Sequence, residues 1–520
     1  MVWQERRVME KAKKMRRELC EYYCFFIFIM LPLFFMDMYF NIAEEKWLLF
    51  TISSVIFIAI SLFLRLYEWT GETGRSPGPL FSLYDYIIWA FLAANIVSLT
   101  LSYNTRESLT GVSSRHHGFL NILLYVFLLF IIKSGYTGHK RLCMVLALTG
   151  GFVSLTAVCQ YLSFDPVGMY RGVTVVSVHR MISTIGNMNI FAGYLNIVTP
   201  LAFLWFIKSV KTRDRIFSGL CLALDAAAGV ASTSDSFYLG TTVSLVLLLI
   251  LGVLKQNELR RVFLGLGIVA FSDYLLLIAA DYIRKHNIII SSSLKKTGVS
   301  VRPSSGFTKI LERNSLLLLI TAVLMLGIYF ALGLIKQKEE KQLPSPKVSG
   351  ILLIIFMLIP AAVAVYAVIS YPFNDEMGSY RGFIWNLAIK DFAHSDILTK
   401  LFGYGQETIL DIYRMRYRNL MVSTTGVIYD NVHCEPLQYL VTTGFAGLGA
   451  YLALVISVLA GLIKRARKNP GLCLLLVPIV SYFTQSFVNI AQSATTPIYF
   501  ILIGLALGAI KEEDSAKALK

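Results

Sequence analysis

The chain has 520 residues, of which 56% are hydrophobic and only 15% charged, and its mean hydropathy is +0.63. A soluble protein of this length would carry roughly a quarter charged residues, so a soluble globular fold is excluded. A net charge of +16 would suggest nucleic acid in a soluble protein, but no nucleic-acid motif accompanies it; here it reads as basic loops held against anionic lipid.

In chain order, a basic tail (residues 1–19) leads into the first apolar run without an A-x-A-like cleavage site. Runs near 20 residues then recur to the other end, each long enough to cross a bilayer core as a helix. The predicted spans are 20–37, 47–65, 83–101, 118–133, 142–162, 187–207, 216–232, 237–254, 262–282, 314–335, 348–371, 436–462, 471–490 and 495–510. The pattern predicts an all-α polytopic membrane protein of twelve to fourteen transmembrane helices. The weakest span is 262–282, which carries Asp273 and Asp281. Lys and Arg of the short loops concentrate on the side of the N-terminal tail, which predicts cytoplasmic N- and C-termini, the latter a tail at 511–520. The seven cysteines show no C-x-x-C spacing, and neither a disulfide framework nor a zinc site is expected.

One loop stands apart. Residues 372–435 form a predicted extracytoplasmic segment too long to be structureless in a compact protein. It holds an amphipathic helix, G-S-Y-R-G-F-I-W-N-L-A-I-K-D-F, with Ile384, Leu387 and Ala388 on one face, then the turn L-F-G-Y-G and a second helical stretch, E-T-I-L-D-I-Y-R-M-R-Y-R. Four polar segments converge on this membrane face: S-R-H-H-G with Arg115; R-M-I-S-T-I-G-N-M-N with Arg180, Gly186, Asn187 and Asn189; S-Y-R-G-F-I-W with Arg381; and D-N-V-H-C-E-P-L-Q with His433 and Gln438.

R-x-x-S-T-I-G-N-M-N-I-F-A-G-Y-L resembles the R-x-x-G-T-x-G-N-P-N segment of the O-antigen ligase and polymerase family. R-G-F-I-W, L-F-G-Y-G and H-C-E-P-L-Q followed by G-F-A-G-L are similar, in that order, to the family's large outer loop with its H-N-E-x-L-Q signature. S-R-H-H-G resembles its R-x-x-G segment. The likeness covers roughly 100–250 and 372–510. It departs at Cys434, where the family usually has Asn, at Met188, where Pro is common, and at Asp235, where Arg is often found. There are two more spans than the usual twelve, and 262–282 with 314–335 is the candidate for an insertion.

The resemblance implies a bacterial cytoplasmic-membrane glycosyltransferase of cell-surface polysaccharide biosynthesis. Its partners would be a polyprenyl-diphosphate-linked glycan donor, a glycan, lipid or wall acceptor, and membrane lipid, with no cofactor and no nucleic acid. On that reading Arg381 and Arg180 neutralise the departing diphosphate through bidentate contacts, with Arg115 a third candidate. His433 is the base for the acceptor hydroxyl. Gly186, Asn187, Asn189 and Gln438 bind substrate, and a single displacement inverts the anomeric centre. Blander roles stay open: His433 as an interfacial residue, Arg180 as a snorkelling one, Arg381 as part of a solvated helix face, and Gly186 and Asn187 as shapers of a helix start. A different class, a transporter of inorganic carbon or another small anion, would use buried groups such as Asp225 and Asp273 near the bilayer midplane. A structural partner in an export complex would need no Arg/His constellation.

Overall fold

A computed structural model describes residues 2–70, 81–112, 115–295, 306–334 and 377–518, with isolated positions between 342 and 375. The helices, in chain order, are α1 (Val2–Leu33), α2 (Ile42–Thr70), α3 (Leu83–Thr100), α4 (Thr105–Thr110), α5 (Phe119–Gly135), α6 (Lys140–Tyr161), α7 (Val175–Arg180), α8 (Met188–Lys208), α9 (Thr212–Ser232), α10 (Asp235–Ile250), α11 (Gln256–Lys285), α12 (Ser292–Lys295), α13 (Gly306–Arg313) and α14 (Ser315–Leu334). They continue with α15 (Met377–Ala393), α16 (Ile397–Phe402), α17 (Ile409–Arg416), α18 (Arg418–Thr425), α19 (Glu435–Ala466), α20 (Cys473–Ser486) and α21 (Thr496–Ala518). Strand structure among the described residues is confined to two small antiparallel pairs, Met181–Ile182 with Gly186–Asn187 and Leu254–Lys255 with Gln342–Leu343.

Helices occupy all the predicted spans except 348–371, which lies outside the described residues. Eight of them (α2, α3, α6, α8, α9, α11, α14 and α19) are long and apolar enough to cross a bilayer, and shorter apolar helices fill the α5, α10 and α20 positions. The surface of α14 shows what surrounds the bundle. Its apolar window is only 6% buried, and Leu316, Leu317, Val323 and Phe330 are each more than half exposed. An apolar helix bare on nearly every side is incompatible with water as its solvent. The 262–282 segment, the weakest by sequence, forms the unbroken helix α11 against α14 and α9. Its Asp273 faces the interior at 6% exposure.

At the centre stands α8, whose apolar window is 94% buried. A helix apolar all round must be enclosed by its neighbours, here α6, α9, α10 and α20. Its one interior amide, Asn196, is fully satisfied. Nδ2 donates to the carbonyls of Ala192 and Ser236, and Oδ1 accepts from Ser481 and Thr241. That knot fixes α8, α10 and α20 to one another.

The 377–434 segment has a hydrophobic core of its own. Ile384, Leu387 and Ala388 of α15 pack with Tyr404, Ile409, Ile412, Tyr413, Met421 and Val432. The amphipathic face expected of residues 378–392 is therefore the inner face of a folded cap. The L-F-G-Y-G turn fastens this cap to the bundle. Gly444 interrupts α19 with φ +67, and the carbonyls freed just before it are taken up by the turn and by α3. Tyr404 N–H donates to Val441 O at 3.0 Å, Gly405 N–H to Thr442 O at 2.9 Å, and Ser98 Oγ also donates to Thr442 O at 2.8 Å. The two backbones meet so closely that a Cβ on Gly403 would lie 2.2 Å from Thr442 C, and one on Gly444 2.3 Å from Leu401 C.

Candidate functional site

The D-N-V-H segment crosses from the cap into α19 with its backbone pinned residue by residue. Arg115 Nη2 donates to Asp430 O at 2.9 Å, and Arg115 Nη1 lies 2.7 Å from Asp430 Oδ2. Val432 N–H donates to Gln438 Oε1 at 3.0 Å, and Trp385 Nε1–H donates to Val432 O at 2.9 Å. Asn431 Oδ1 accepts from His433 N–H at 2.7 Å. His433 itself has φ +58, a left-handed conformation costing about 1–2 kcal/mol in a residue with a side chain. Such strain persists where surrounding bonds hold it.

Those bonds fix the imidazole chemistry. His433 Nδ1 lies 3.0 Å from Asn431 O, and a carbonyl only accepts, so Nδ1 carries the proton of the neutral ring. Nε2 keeps its lone pair and has no hydrogen-bond partner among the described residues. Burial, reinforced by the Arg381 charge, lowers the His433 pKa from 6.5 to about 4. The ring is neutral at pH 7.

His433 lines a cleft of ≈ 400 Å³ at one end of the bundle, with Arg381, Asn189, Asp235, Ser234 and Tyr429. Arg381 projects from α15, half-buried, and makes no ion pair or hydrogen bond among the described residues. Burial lowers its pKa, while Asp235 and Tyr429 pull the other way. A guanidinium with no ion pair among the described residues, in a partly dry cleft, has the chemistry to receive an anion. Asn189 presents Oδ1 to Ser234 Oγ–H at 2.8 Å, while its carbonyl accepts from Asn489. Asp235 begins α10 and accepts from Phe307 N–H at 2.8 Å.

The structure thus brings His433, Arg381 and Asn189 together, and it places the other predicted site residues elsewhere. Arg180 ends α7, is exposed, and does not line the cleft, although its charge reaches Tyr429 on the cleft wall. Gly186 and Asn187 form a hairpin with Met181 and Ile182. Gly186 takes φ +104 there, and Asn187 caps α8 by accepting from Asn189 N–H at 2.9 Å. Gln438 does not line the cleft; it lines a separate cavity with His117 and Glu435. Arg115 is 3% exposed and is consumed by Glu407 (3.0 Å) and Asp430. Burial alone would lower its pKa, but the two carboxylates outweigh it and the net shift is upward. Arg115 and Gln438 act on the site through the segment they hold.

Three contributors were not singled out as site residues from sequence. Asn431 orients the histidine, Trp385 anchors Val432, and Asp235 faces Arg381 across the cleft. Asn431 sits two residues before His433, a spacing at which an Asn side chain readily closes on the following backbone, so a local signal existed. Asp235 stands out in the sequence only as a departure from the resembled pattern. Cys434 holds the N-cap position of α19 without capping it, and burial pushes its thiol up to about 11. Among the described residues no three His, Cys, Asp or Glu side chains gather as a metal site.

Fold and site together define an all-α, multi-pass membrane protein whose folded cap closes a polar cleft at one end of the bundle. No family model matches the chain, and no curated protein matches it significantly.

Proposed function

We propose that the protein is an inverting membrane glycosyltransferase that transfers or polymerises a polyprenyl-diphosphate-linked glycan at the outer face of a bacterial cytoplasmic membrane, with fourteen spans and both termini in the cytoplasm. One observation carries the reading: a half-buried neutral histidine, whose Nε2 has no hydrogen-bond partner among the described residues, shares a cleft with a guanidinium that has no ion pair among them. The acceptor hydroxyl attacks the anomeric carbon of the donor and gives its proton to His433 Nε2. The bond from that carbon to the diphosphate breaks, and its electron pair leaves on a phosphate oxygen facing Arg381, with Arg180 near the rim. Fixed donors aimed at developing charge commonly supply about 3–4 kcal/mol of transition-state stabilisation each. A positioned base adds about a hundred- to ten-thousand-fold. Asn189 and Asp235 offer hydrogen-bonding groups to sugar hydroxyls.

The test is transfer in nanodiscs. Purified protein is given a polyprenyl-diphosphate oligosaccharide, and release of polyprenyl diphosphate is followed together with glycan transfer. His433→Ala and Arg381→Ala should each lose at least about a hundredfold in rate. Activity surviving both changes would overturn the assignment. A solute-transport reading draws on Asp225, fully buried in α9 with one oxygen bonded to Ser154, and on Asp273. It would be favoured by solute flux in liposomes with no transfer from any donor.

A further inference from the structure

A second cleft lies at the far end of α8. That helix starts in the polar cleft with Met188 and Asn189 and ends in the second one with Lys208. Its 21 residues rise about 30 Å, the thickness of a bilayer core, so the two clefts sit at opposite membrane faces.

The second cleft, ≈ 450 Å³, is lined by Lys140, Arg141, Lys208 and Lys211 against a single carboxylate, Asp214. Lys208 is already neutralised by Glu258 at 2.7 Å, and Asp214 lies 3.5 Å from Arg213. Lys140, Arg141 and Lys211 have no ion pair among the described residues. They come from the starts of two helices, α6 and α9, that the fold brings side by side.

Apart from Ser209, whose hydroxyl is spent on Trp205 O, the remaining walls are apolar: Met144, Trp205 and Leu474, with Val210 88% exposed at the lip. Beyond Asp214 on α9, Ile216, Phe217 and Leu220 are also exposed. The cationic rim therefore opens onto apolar surface. Free phosphate would use the cations and leave the apolar walls bare. A molecule carrying a phosphate at the membrane surface and acyl chains below it uses both, with the indole of Trp205 at the boundary.

We propose that this cleft binds the phosphate headgroup of an anionic phospholipid of the leaflet opposite the polar cleft. The site is independent of the glycan-transfer reading. Lys140, Arg141 and Lys211 hold the phosphate, and Met144, Trp205 and Leu474 contact the acyl chains.

The test is native mass spectrometry of the full chain, released from nanodiscs of phosphatidylcholine doped with phosphatidylglycerol. Wild-type protein should retain phosphatidylglycerol after phosphatidylcholine has been stripped, with adducts unaffected by millimolar inorganic phosphate. The triple variant Lys140→Ala, Arg141→Ala, Lys211→Ala should bind it about a hundredfold more weakly. The charge-preserving variant Lys140→Arg, Lys211→Arg should retain it, which separates loss of charge from loss of fold. Equal retention by wild type and the triple variant would overturn the proposal. Displacement of the lipid by inorganic phosphate would overturn it too, assigning the cations to a free anion.

Discussion

At the residue scale, the site turns on the mutual influence of His433 and Arg381. A base with a pKa of about 4 is weak for work at neutral pH, where catalysis favours a pKa near the operating pH. The cause suggests how binding corrects it. Part of the depression comes from the positive charge of Arg381. On the proposed glycosyl-transfer reading, a bound diphosphate would neutralise that charge and raise the histidine pKa as the donor arrives. The sign is fixed: a depressed pKa keeps the ring of the free protein neutral above about 4, so kcat/KM falls only as pH drops through that value. The acid limb of kcat/KM, which reports the free protein, should lie near pH 4, and that of kcat should lie higher. In Arg381→Gln the acid limb of kcat/KM should move up towards 6.5, the ordinary histidine value. Superimposable limbs for wild type and variant, read from rate–pH profiles, would separate the two residues.

At the element scale, the cap is held by two devices. One is the Arg115–Glu407–Asp430 cluster, linking the start of α5 to the segment before α19. Removing one member of a buried ion pair strands the other, typically at about 3–5 kcal/mol. Arg115→Met should lower the thermal midpoint in detergent accordingly. An unchanged midpoint with a raised donor KM would instead make Arg115 a substrate ligand. The other device is the contact between the L-F-G-Y-G turn and the break in α19. A side chain on Gly444 meets backbone at 2.3 Å and takes an unfavourable φ, a cost of at least about 1–3 kcal/mol. Gly444→Ala should release the cap, seen as faster proteolysis within 395–426, while the membrane helices stay protected. Equal cleavage rates would mean that the cap is held elsewhere. Much of this scale was legible beforehand. The amphipathic stretch around Ile384 and the glycine turn both stand out locally, because helix periodicity and turn chemistry are near-neighbour properties. The docking of turn on kink was not, since it depends on where α19 happens to break.

At the scale of the whole molecule, α8 organises everything, and the two clefts at its ends face opposite sides. Single cysteines in a cysteine-free background test the orientation. Ser423→Cys in the cap should react with a membrane-impermeant maleimide in intact cells, and Ser515→Cys near the end of α21 only after permeabilisation. The reverse pattern would invert the topology and put the polar cleft in the cytoplasm. By itself the sequence determined that the chain is helical and, among the described residues, where its apolar helices run. In hydrocarbon every backbone polar group must be bonded within the protein, and an apolar run of 20 residues does that most directly as a helix. Only the tertiary structure decided which polar residues work together. In sequence Arg115 and Arg381 are both diphosphate candidates in polar segments on the same predicted face. Arg115 meets Glu407, 292 residues away, and is spent on structure, whereas Arg381 makes no ion pair among the described residues. A guanidinium's role is set by what lies within about 4 Å of it, and packing between distant helices sets that distance.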